Sequence, residues 1–304
     1  MSAPRALVVG DVMIDLIVRL EGPIAVGSDR RAKIAERPGG SAANQAVWLA
    51  HFGVAVDFVG RVGAADIERE SARFRRAGVD AHLAGDATRE TGRLIALVDP
   101  SGERSFLTDR AANEALQASD IPDGLIESAA LIHLSGYSFF APSPRAAAID
   151  VMRRAKGKPI GVDPASAEFL REVGATNFFE WTRGASMLFP NGEEAEVLAG
   201  TEDPALQGER LSACYPLVVV KRGAAGAEAF QGERRWRVAA PPAKSLDSTG
   251  AGDAFVAAFL AARLQGEDME ACLRHAAAAG AAATQLVGAR PLPPLRVSGE
   301  RLVR

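Results

Sequence analysis

The sequence predicts an α/β protein with a mostly parallel central sheet and helices on both faces of that sheet. Short apolar runs alternate with helical patterns along the chain, which is typical of this class. The run Leu217-Val218-Val219-Val220 is apolar at every position, as expected of a strand buried on both faces. The chain has 304 residues, 48% of them hydrophobic, and can bury a large core. We therefore expect a single domain over residues 1–304.

The predicted elements follow one another at short intervals. Strands are expected at residues 6–10, 54–60, 131–135, 159–163, 187–190 and 217–221. Helices are expected between them, at residues 43–52, 67–77, 144–155, 193–198 and 204–213. An apolar helix is expected directly after Gly252, and another over residues 274–286.

Two segments interrupt this alternation. Residues 16–37 alternate apolar and polar side chains, and residues 91–108 have the pattern of a hairpin with a turn at 99–102. Together they predict a small β-sheet that projects from the main domain. Such a sheet could cover a site or form a dimer contact, or it could be an edge hairpin with neither role.

Composition excludes several classes of function. The net charge is −3 and no long basic run occurs, so a nucleic-acid partner is not expected. The longest apolar stretch, residues 276–283, is too short to span a bilayer, so no membrane partner is expected. The N-terminal residues lack the pattern of a signal peptide, and we expect a cytoplasmic protein. Neither the two cysteines nor the four histidines have the spacing of a metal site.

The segment 247–260 predicts an anion site at the start of a helix. Gly250 and Gly252 leave backbone N–H groups uncovered where the helix dipole is positive. Asp253 places a carboxylate inside this site. Because a carboxylate repels phosphate, its presence indicates proton transfer beside a phosphoryl group. The alternative is an ordinary helix start in which Asp253 stabilises the macrodipole.

The segment 38–53 predicts a site for a polyol. Gly39 and Gly40 let a ligand approach the backbone, and Ser41 is expected to be the N-cap of the following helix. Asn44 falls in the first turn, where its amide can donate to and accept from a hydroxyl group. A well-capped helix without a ligand explains the same residues.

Carboxylates and an amide follow two further strands. Asp11 and Asp15 come after the first strand, at the edge where open parallel sheets bind ligands, although either could cap a turn. Asn191 and Glu194 are three residues apart at a helix start, and such oxygen ligands suit a hydrated Mg²⁺. The alternative for this second pair is a capping box.

Two familiar phosphate-binding patterns are missing. The sequence has neither a Gly-x-x-x-x-Gly-Lys-Ser/Thr loop nor the glycines of a dinucleotide fingerprint after Gly10. Gly223 and Gly226 form a tight turn after the strand at 217–221, either beside a nucleotide or as a plain hairpin. Any phosphate site must therefore use the helix start at Gly250–Asp253.

In this order the segments resemble the ribokinase-like (pfkB) carbohydrate kinase family over essentially the whole chain. Residues 39–53 are similar to its N-terminal signature, residues 247–260 to its C-terminal signature, and Asn191–Glu194 to its Asn-x-x-Glu motif. The resemblance implies a ribokinase-like three-layer fold. It also implies that residues of about 16–37 and 91–108 form a β-sheet lid, through which many relatives form homodimers.

The resemblance also implies a role for each matching residue in an ATP-dependent phosphotransferase. Asp253 would be the base that deprotonates the acceptor hydroxyl, and the amides of Gly250, Ala251 and Gly252 would stabilise the transferring phosphoryl group. Asp15, Gly39, Gly40 and Asn44 would bind the sugar, with Arg104 as a lid contact. The nucleotide would be bound by Asn191, Lys221, Gly223 and Gly226. Asn191 and Glu194 would bind Mg²⁺ through water, and Asp247 would contribute to a monovalent-cation site for K⁺.

Three departures from the ribokinase pattern bear on the acceptor. Met13 replaces an Asn, Ser41 replaces a Lys, and Gly136 replaces a Glu that contacts the sugar in ribokinases. The resulting hypothesis is a kinase that phosphorylates a hydroxymethyl group of a small sugar or sugar acid. The alternatives are a nucleoside kinase, a non-catalytic sensor that has kept the fold, and a dinucleotide-dependent oxidoreductase, which would need the missing glycine fingerprint.

Overall fold

A nine-stranded sheet forms the middle layer of the computed structural model, which describes residues 4–101 and 103–291. The strands of the chain are β1 (Arg5–Val9), β2 (Met13–Leu20), β3 (Ala32–Gly39), β4 (Ala55–Gly63), β5 (Asp80–Asp86), β6 (Gly92–Val98), β7 (Arg104–Asp109), β8 (Leu131–Ser135), β9 (Ile160–Asp163), β10 (Met187–Leu188), β11 (Leu217–Lys221), β12 (Ala227–Gln231) and β13 (Arg234–Val238). The α-helices are α1 (Ser41–His51), α2 (Ile67–Arg76), α3 (Asp123–Ser128), α4 (Pro142–Arg154), α5 (Ala167–Val173), α6 (Ala175–Trp181), α7 (Gly192–Ala199), α8 (Pro204–Ser212), α9 (Ala251–Leu264) and α10 (Met269–Ala283).

The strand order of the main sheet is β13-β12-β11-β10-β9-β8-β1-β4-β5. The seven strands from β11 to β5 are parallel to their neighbours, whereas β12 and β13 are added antiparallel at one edge. The prediction of a mostly parallel sheet is therefore confirmed. Strand β5 was missing from the predicted elements, because its sequence of Asp, Ala, His, Leu and Gly has few β-branched residues.

Helices cover both faces of this sheet. One buried apolar cluster packs α1, α2, α9 and α10 against the sheet, and Phe58 of β4 stacks on Phe74 of α2 with ring centroids 4.6 Å apart. The other cluster contains residues of α3 to α8 and includes the edge-to-face pair Phe139 and Phe178. Burial of side chains of this size stabilises a fold by about 1.5–3 kcal/mol each. Three layers thus hold the carboxyl ends of the parallel strands in fixed positions.

The carboxyl ends of the parallel strands meet at one edge of the sheet. Asp11 follows β1, Gly136 follows β8, Asp163 ends β9, and Lys221 ends β11. Asn191 bridges to Lys221 beside them. Asp11, Asn191 and Lys221, which come from separate parts of the sequence, therefore lie at the same edge of the sheet, as expected for an open parallel sheet.

A second, four-stranded sheet has the order β3-β2-β6-β7. Its strands lie in the two segments that interrupt the α/β alternation: β2 pairs antiparallel with β3 and parallel with β6, and β6 pairs antiparallel with β7. Gly102, in the expected hairpin turn, lies outside the described residues. Ile34, Phe106 and Leu107 expose more than half of their surface on this sheet.

The helices of the described residues are short or contain charged residues. None of them combines the length and the apolar character needed to cross a membrane.

Candidate active site

Helix α9 begins with backbone N–H groups that are not capped by side chains. Gly250 precedes the helix with φ of 77°, and a Cβ at this position would lie 2.5 Å from the Cα of Ala289, so only glycine fits. The amide of Ala251 donates to the carbonyl oxygen of Ser248 at 3.2 Å. Within the part of the chain that the structure describes, no group accepts from the amides of Gly250, Gly252 or Asp253. These amides can therefore bind an anion.

The carboxylate of Asp253 is held by two donors from α1. The hydroxyl of Ser41 donates to Oδ1 at 2.7 Å, and Nδ2 of Asn44 donates to Oδ2 at 3.0 Å. The expectation that Ser41 is the N-cap of α1 was wrong: Gly40 is the N-cap, and Ser41 is the first helical residue. Asp11 takes over the capping, because its carboxylate accepts from the backbone N–H of Ser41 at 3.0 Å. The Ser41 hydroxyl is consequently free to bind Asp253.

Burial raises the pKa of Asp253 from its ordinary value of 3.8 to about 7. The hydrogen bonds from Asn44 and Ser41 and the charge of Lys221 oppose this shift, and the charge of Asp163 adds to it. A carboxylate whose pKa lies near neutral pH can accept a proton and release it again, which is what a general base requires.

Asp15 faces the backbone of Gly39. A Cβ at Gly39 would overlap the carboxylate of Asp15, and one at Gly40 would lie 2.5 Å from the carbonyl oxygen of Asp11. Oδ1 of Asp15 is buried, and no described residue forms a hydrogen bond with it. Burial raises the pKa of Asp15 to about 6, and Arg290 opposes the shift. Such a carboxylate is suited to accept a hydroxyl group of a ligand.

A buried chain of polar side chains lies beneath α9. Nζ of Lys221 donates to both carboxylate oxygens of Asp163, at 3.0 and 3.1 Å, and lies 3.7 Å from where a Cβ of Gly252 would be. Gln45 donates to Asp163 at 3.0 Å and contacts Nε2 of His133 at 2.8 Å. Burial lowers the pKa of His133 to about 4, so this ring is neutral. The chain thus holds one ammonium group beside the uncapped amides.

Asn191 and Glu194 form the capping box that the sequence left open as an alternative. Oδ1 of Asn191 accepts from the amide of Glu194 at 2.9 Å, and Oε2 of Glu194 accepts from the amide of Asn191 at 2.8 Å. Burial raises the pKa of Glu194 to about 7, with Lys221 opposing and Asp163 adding to the shift. The described residues contain no group of three or more His, Cys, Asp or Glu side chains arranged for a metal ion.

A cavity of about 670 Å³ leads to the start of α9. The turn after β11 forms one wall, where Gly226 has φ of 99° and packs against the carbonyl oxygen of Val238. The cavity joins three of the four predicted nucleotide residues to the predicted anion site, and Asn191 is not in its lining. Its lining includes Lys221, Gly223, Gly226, Gly252, Phe255 and Gly280.

Two further predicted residues lie around the site. The carboxylate of Asp247 accepts from the amide of Thr249 at 2.9 Å and from that of Gly288 at 3.1 Å, and so joins the loops at both ends of the α9–α10 pair. Arg104 lies in β7, and its side chain is outside what the structure describes.

Sequence reasoning missed Arg290. Its Nε donates to Oδ1 of Asn44 at 2.9 Å, and its Nη2 donates to the carbonyl oxygen of Gly39 at 3.0 Å. It also missed the link from Gln45 to Asp163. For Gln45 a weak signal existed, since it is a polar residue among the apolar residues of α1; for Arg290 no local pattern distinguishes it from a surface arginine.

Comparison with known proteins agrees with this geometry. The family model for pfkB family carbohydrate kinases matches residues 3–295. The ATP-dependent ribose-1-phosphate kinase of Halopiger xanaduensis is 31% identical over 296 residues, which is 95% of each chain. The structure of Arabidopsis thaliana ribokinase complexed with ribose and ATP superposes with a TM-score of 0.79 at 26% identity over 95% of both chains. The adenosine kinase of Sinorhizobium meliloti has the same fold, with a TM-score of 0.87 at 24% identity over 96% of this chain and 97% of that one. The chain therefore belongs to the pfkB family of carbohydrate kinases.

Proposed function

We propose that this carbohydrate kinase transfers the γ-phosphoryl group of ATP to a hydroxymethyl group of a small sugar or sugar acid. The observation that carries the proposal is Asp253, a carboxylate with a pKa of about 7 that lies beside uncapped helix amides. Its two oxygens each accept one hydrogen bond from α1, and each keeps a lone pair for the acceptor.

In the proposed mechanism Asp253 takes the proton of the acceptor hydroxyl while the oxygen of that hydroxyl attacks the γ-phosphorus. The bond from that phosphorus to the leaving oxygen of ADP breaks. The amides of Gly250 and Gly252 stabilise the negative charge of the phosphoryl group during the transfer. The amide of Ala251 already donates to Ser248, so it contributes only if that turn opens. Asp15, Gly39, Gly40 and Asn44 would orient the acceptor.

Lys221 would add a positive charge at the same place. Its ammonium group is held against Gly252 by Asp163, so it needs no rearrangement to face an anion bound at the start of α9. Phosphoryl transfer depends mainly on positioning and on neutralising charge, which is what these groups supply.

The donor set near Lys221 fits a hydrated Mg²⁺. Asp163 and Glu194 are buried carboxylates that share the single ammonium of Lys221, so a further cation is electrostatically favoured there. Asn191 and Glu194 would bind Mg²⁺ through water, since their own atoms remain in the capping box. When bound, the ion would neutralise charge on the phosphates. Asp247 would support a K⁺ site, because its carboxylate joins the two loops beside Gly250.

ATP is the proposed phosphoryl donor for two reasons. The relative from Halopiger is named as ATP-dependent, and the Arabidopsis ribokinase structure contains ATP. The cavity of about 670 Å³ has room for a nucleotide and opens onto the amides of α9, with Gly223 and Gly226 at its wall.

We propose that part of the acceptor extends into a second cavity, of about 310 Å³, which begins beside Asp11 and whose lining includes none of Asp15, Gly39, Gly40 and Asn44. Four carboxylates line it, and its one arginine, Arg110, forms an ion pair with Asp11 at 3.2 Å. This charge favours a neutral acceptor over a sugar acid. The rings of Tyr137, Phe140 and Phe169 also line the cavity, and such a wall suits a planar base. This observation favours a nucleoside as the second candidate acceptor.

The test is ADP release measured with a panel of pentoses, hexoses, sugar acids and nucleosides, in the presence of Mg²⁺ and K⁺. We expect turnover with neutral acceptors and none with analogues that lack the terminal hydroxyl group. Asp253→Asn serves as the matched inactive control. If no member of the panel raises ADP release above the rate without acceptor, the proposed function is wrong.

The second sheet would act as a lid and as the contact of a homodimer. Ile34, Phe106 and Leu107 expose apolar surface there, which a second copy of the chain could bury. We expect a dimer by light scattering and a monomer for Phe106→Glu. A wild-type chain that stays monomeric at high concentration would contradict this assembly.

A further inference from the structure

The segment that follows α10 reaches back to α1 through two consecutive residues. The carbonyl oxygen of Ala289 accepts from Nε1 of Trp48 at 2.9 Å. The guanidinium of Arg290 donates to Asn44 and to Gly39, and among the described carboxylates none forms an ion pair with it. An arginine that is partly buried and hydrogen-bonded only to neutral oxygens is unusual, because burial of a charge is costly. The carboxylates of Glu70, Asp15 and Asp253 stabilise the charge of Arg290 from a greater distance, and burial still lowers its pKa to about 10.

These contacts determine which way the amide of Asn44 points. Arginine can only donate hydrogen bonds, and an ionised carboxylate can only accept them. Oδ1 of Asn44 must therefore face Arg290, and Nδ2 must face Asp253. A flipped amide would lose both bonds. Arg290 is the one described donor to Oδ1, so it selects the orientation in which Asn44 stabilises the carboxylate of Asp253.

We propose that Arg290 is a positioning residue that holds Asn44 as a donor to Asp253 and so keeps this carboxylate ionised and aimed at the acceptor. The proposal rests on the proposed role of Asp253 as the base. Arg290 itself touches neither of the reacting groups in this scheme.

Several charged groups face Asp253 and set the background for a pH test. Asp163 of β9 raises the pKa of Asp253, and Lys221 of β11 lowers it. Tyr137, after β8, and Arg290 also interact with Asp253 through their charges. Loss of Arg290 would remove a positive charge and release the Asn44 amide. Both effects raise the pKa of Asp253, so the acid limb of the rate profile moves to higher pH.

The test compares the pH dependence of kcat in Arg290→Ala, Arg290→Lys and Arg290→Gln, each with and without Asn44→Ala. We expect the acid limb of Arg290→Ala to move up by about one to two pH units, since the loss of a hydrogen bond to a charged group corresponds to about that shift. Arg290→Lys keeps the charge and a donor but loses the planar fork, so its shift measures what the fixed geometry of the guanidinium adds. KM for ATP stays within about twofold. In the Asn44→Ala background the shift becomes smaller, because only the part that comes from the lost positive charge remains.

Two controls separate this effect from others. Arg290 also lowers the pKa of Asp15, so the shift must persist in Asp15→Asn. The ¹³Cγ resonance of Asp253, assigned by its loss in Asp253→Asn, reports the pKa without turnover. A fully active Asp253→Asn variant would show that the proposed function is wrong. The resonance would still test whether Arg290 sets the pKa of Asp253, because it does not depend on turnover.

The proposal is overturned if Arg290→Ala lowers kcat without moving the limb or the Asp253 resonance. It is also overturned if the shift is equally large in the Asn44→Ala background, because Arg290 would then act only as a distant charge. If Arg290→Ala does not fold, as shown by its thermal transition, the same criteria apply to Arg290→Gln, which can still donate to Asn44 and should move the limb less.

Discussion

The starts of α7 and α9 carry the same kind of sequence signal and serve different purposes. Each has an acid in the first turn, and burial raises the pKa of both acids, Glu194 and Asp253, to about 7. At α7 the acid and the cap satisfy each other's backbone amides. At α9 most first-turn amides have no described acceptor, and the acid is held instead by Ser41 and Asn44, more than 200 residues earlier in the chain.

The difference follows from what stands before each acid. Asn191 has a side chain that can cap, and so α7 closes on itself. Gly250 and Gly252 have no side chains, so α9 stays open to an external anion. A helix start that satisfies its own amides mainly stabilises the fold. One that leaves them open, with its acid fixed by another helix, is available for chemistry.

The largest expected effect distinguishes the two acids directly. Asp253→Asn should lower kcat by roughly 10³-fold, within the usual contribution of a general base, because the amide cannot accept the proton. Its affinity for ATP, measured by calorimetry, should stay near that of the wild type. Glu194→Gln should instead weaken the binding of Mg²⁺, so that excess Mg²⁺ restores part of the activity of this variant.

Excess Mg²⁺ should not restore Asp253→Asn, since it does not supply a base. If both variants respond alike to Mg²⁺, or if Asp253→Asn loses ATP binding as well as turnover, the two helix starts do not differ in the way described.

The next effect concerns Lys221, which lies between the two helix starts. Lys221→Met leaves the buried carboxylate of Asp163 without its counter-ion, and removal of one partner from a buried pair costs about 3–5 kcal/mol. The matched control is Arg171→Met, which breaks an exposed pair with Glu193 of α7 and should cost less than about 1 kcal/mol. Urea unfolding at pH 7 measures both. Equal losses would show that the Lys221 pair is not effectively buried.

A smaller effect separates capping from catalysis. Asn191→Ala removes the cap of α7 and should lower the free energy of unfolding by about 1 kcal/mol. Ser41→Ala removes no cap, because Asp11 caps α1, so the helix should keep its stability. Ser41→Ala should instead move the acid limb of kcat upward, since Asp253 loses a donor. Thermal unfolding and a pH–rate profile distinguish the two outcomes, and a larger stability loss in Ser41→Ala would contradict the assignment.

The sequence predicts local features of this protein well. The strands Leu131–Ser135 and Leu217–Lys221 have the predicted bounds, because continuous apolar runs with clear ends determine them. The resemblance to the family implied the three-layer fold and a common site for motifs that are distant in the sequence, but it did not give the order of the strands. Ser41 was taken for a cap because the residue type fits that position, and only the position of Asp11 in space shows otherwise.

Long-range contacts in the site were beyond sequence reasoning. The bond from Arg290 to Asn44 joins residues 246 positions apart, and neither residue carries a local mark of the other. The same holds for the bond between Lys221 and Asp163, 58 positions apart. Such pairs depend on how the strand ends meet at the sheet edge, which follows from the whole topology and not from any one segment.

The last effect concerns stability and pH. Asp253 and Glu194 each have a pKa near 7 in the folded protein and near 4 when unfolded, so between these values the folded protein binds more protons. Each acid therefore makes the free energy of unfolding fall as pH rises from about 4 to about 7.

Asp253→Asn should remove the part of this pH dependence that comes from Asp253. The variant should melt at a higher temperature than the wild type at pH 8, with little difference at pH 4. Glu194→Gln should flatten the slope similarly, because Gln can still accept from the amide of Asn191. An Asp253→Asn variant with the wild-type slope would show that Asp253 is not held at a destabilising pKa. The expected result would instead show that the ionised carboxylate of Asp253 lowers the stability of the fold, so its presence at the start of α9 is explained by function and not by stability.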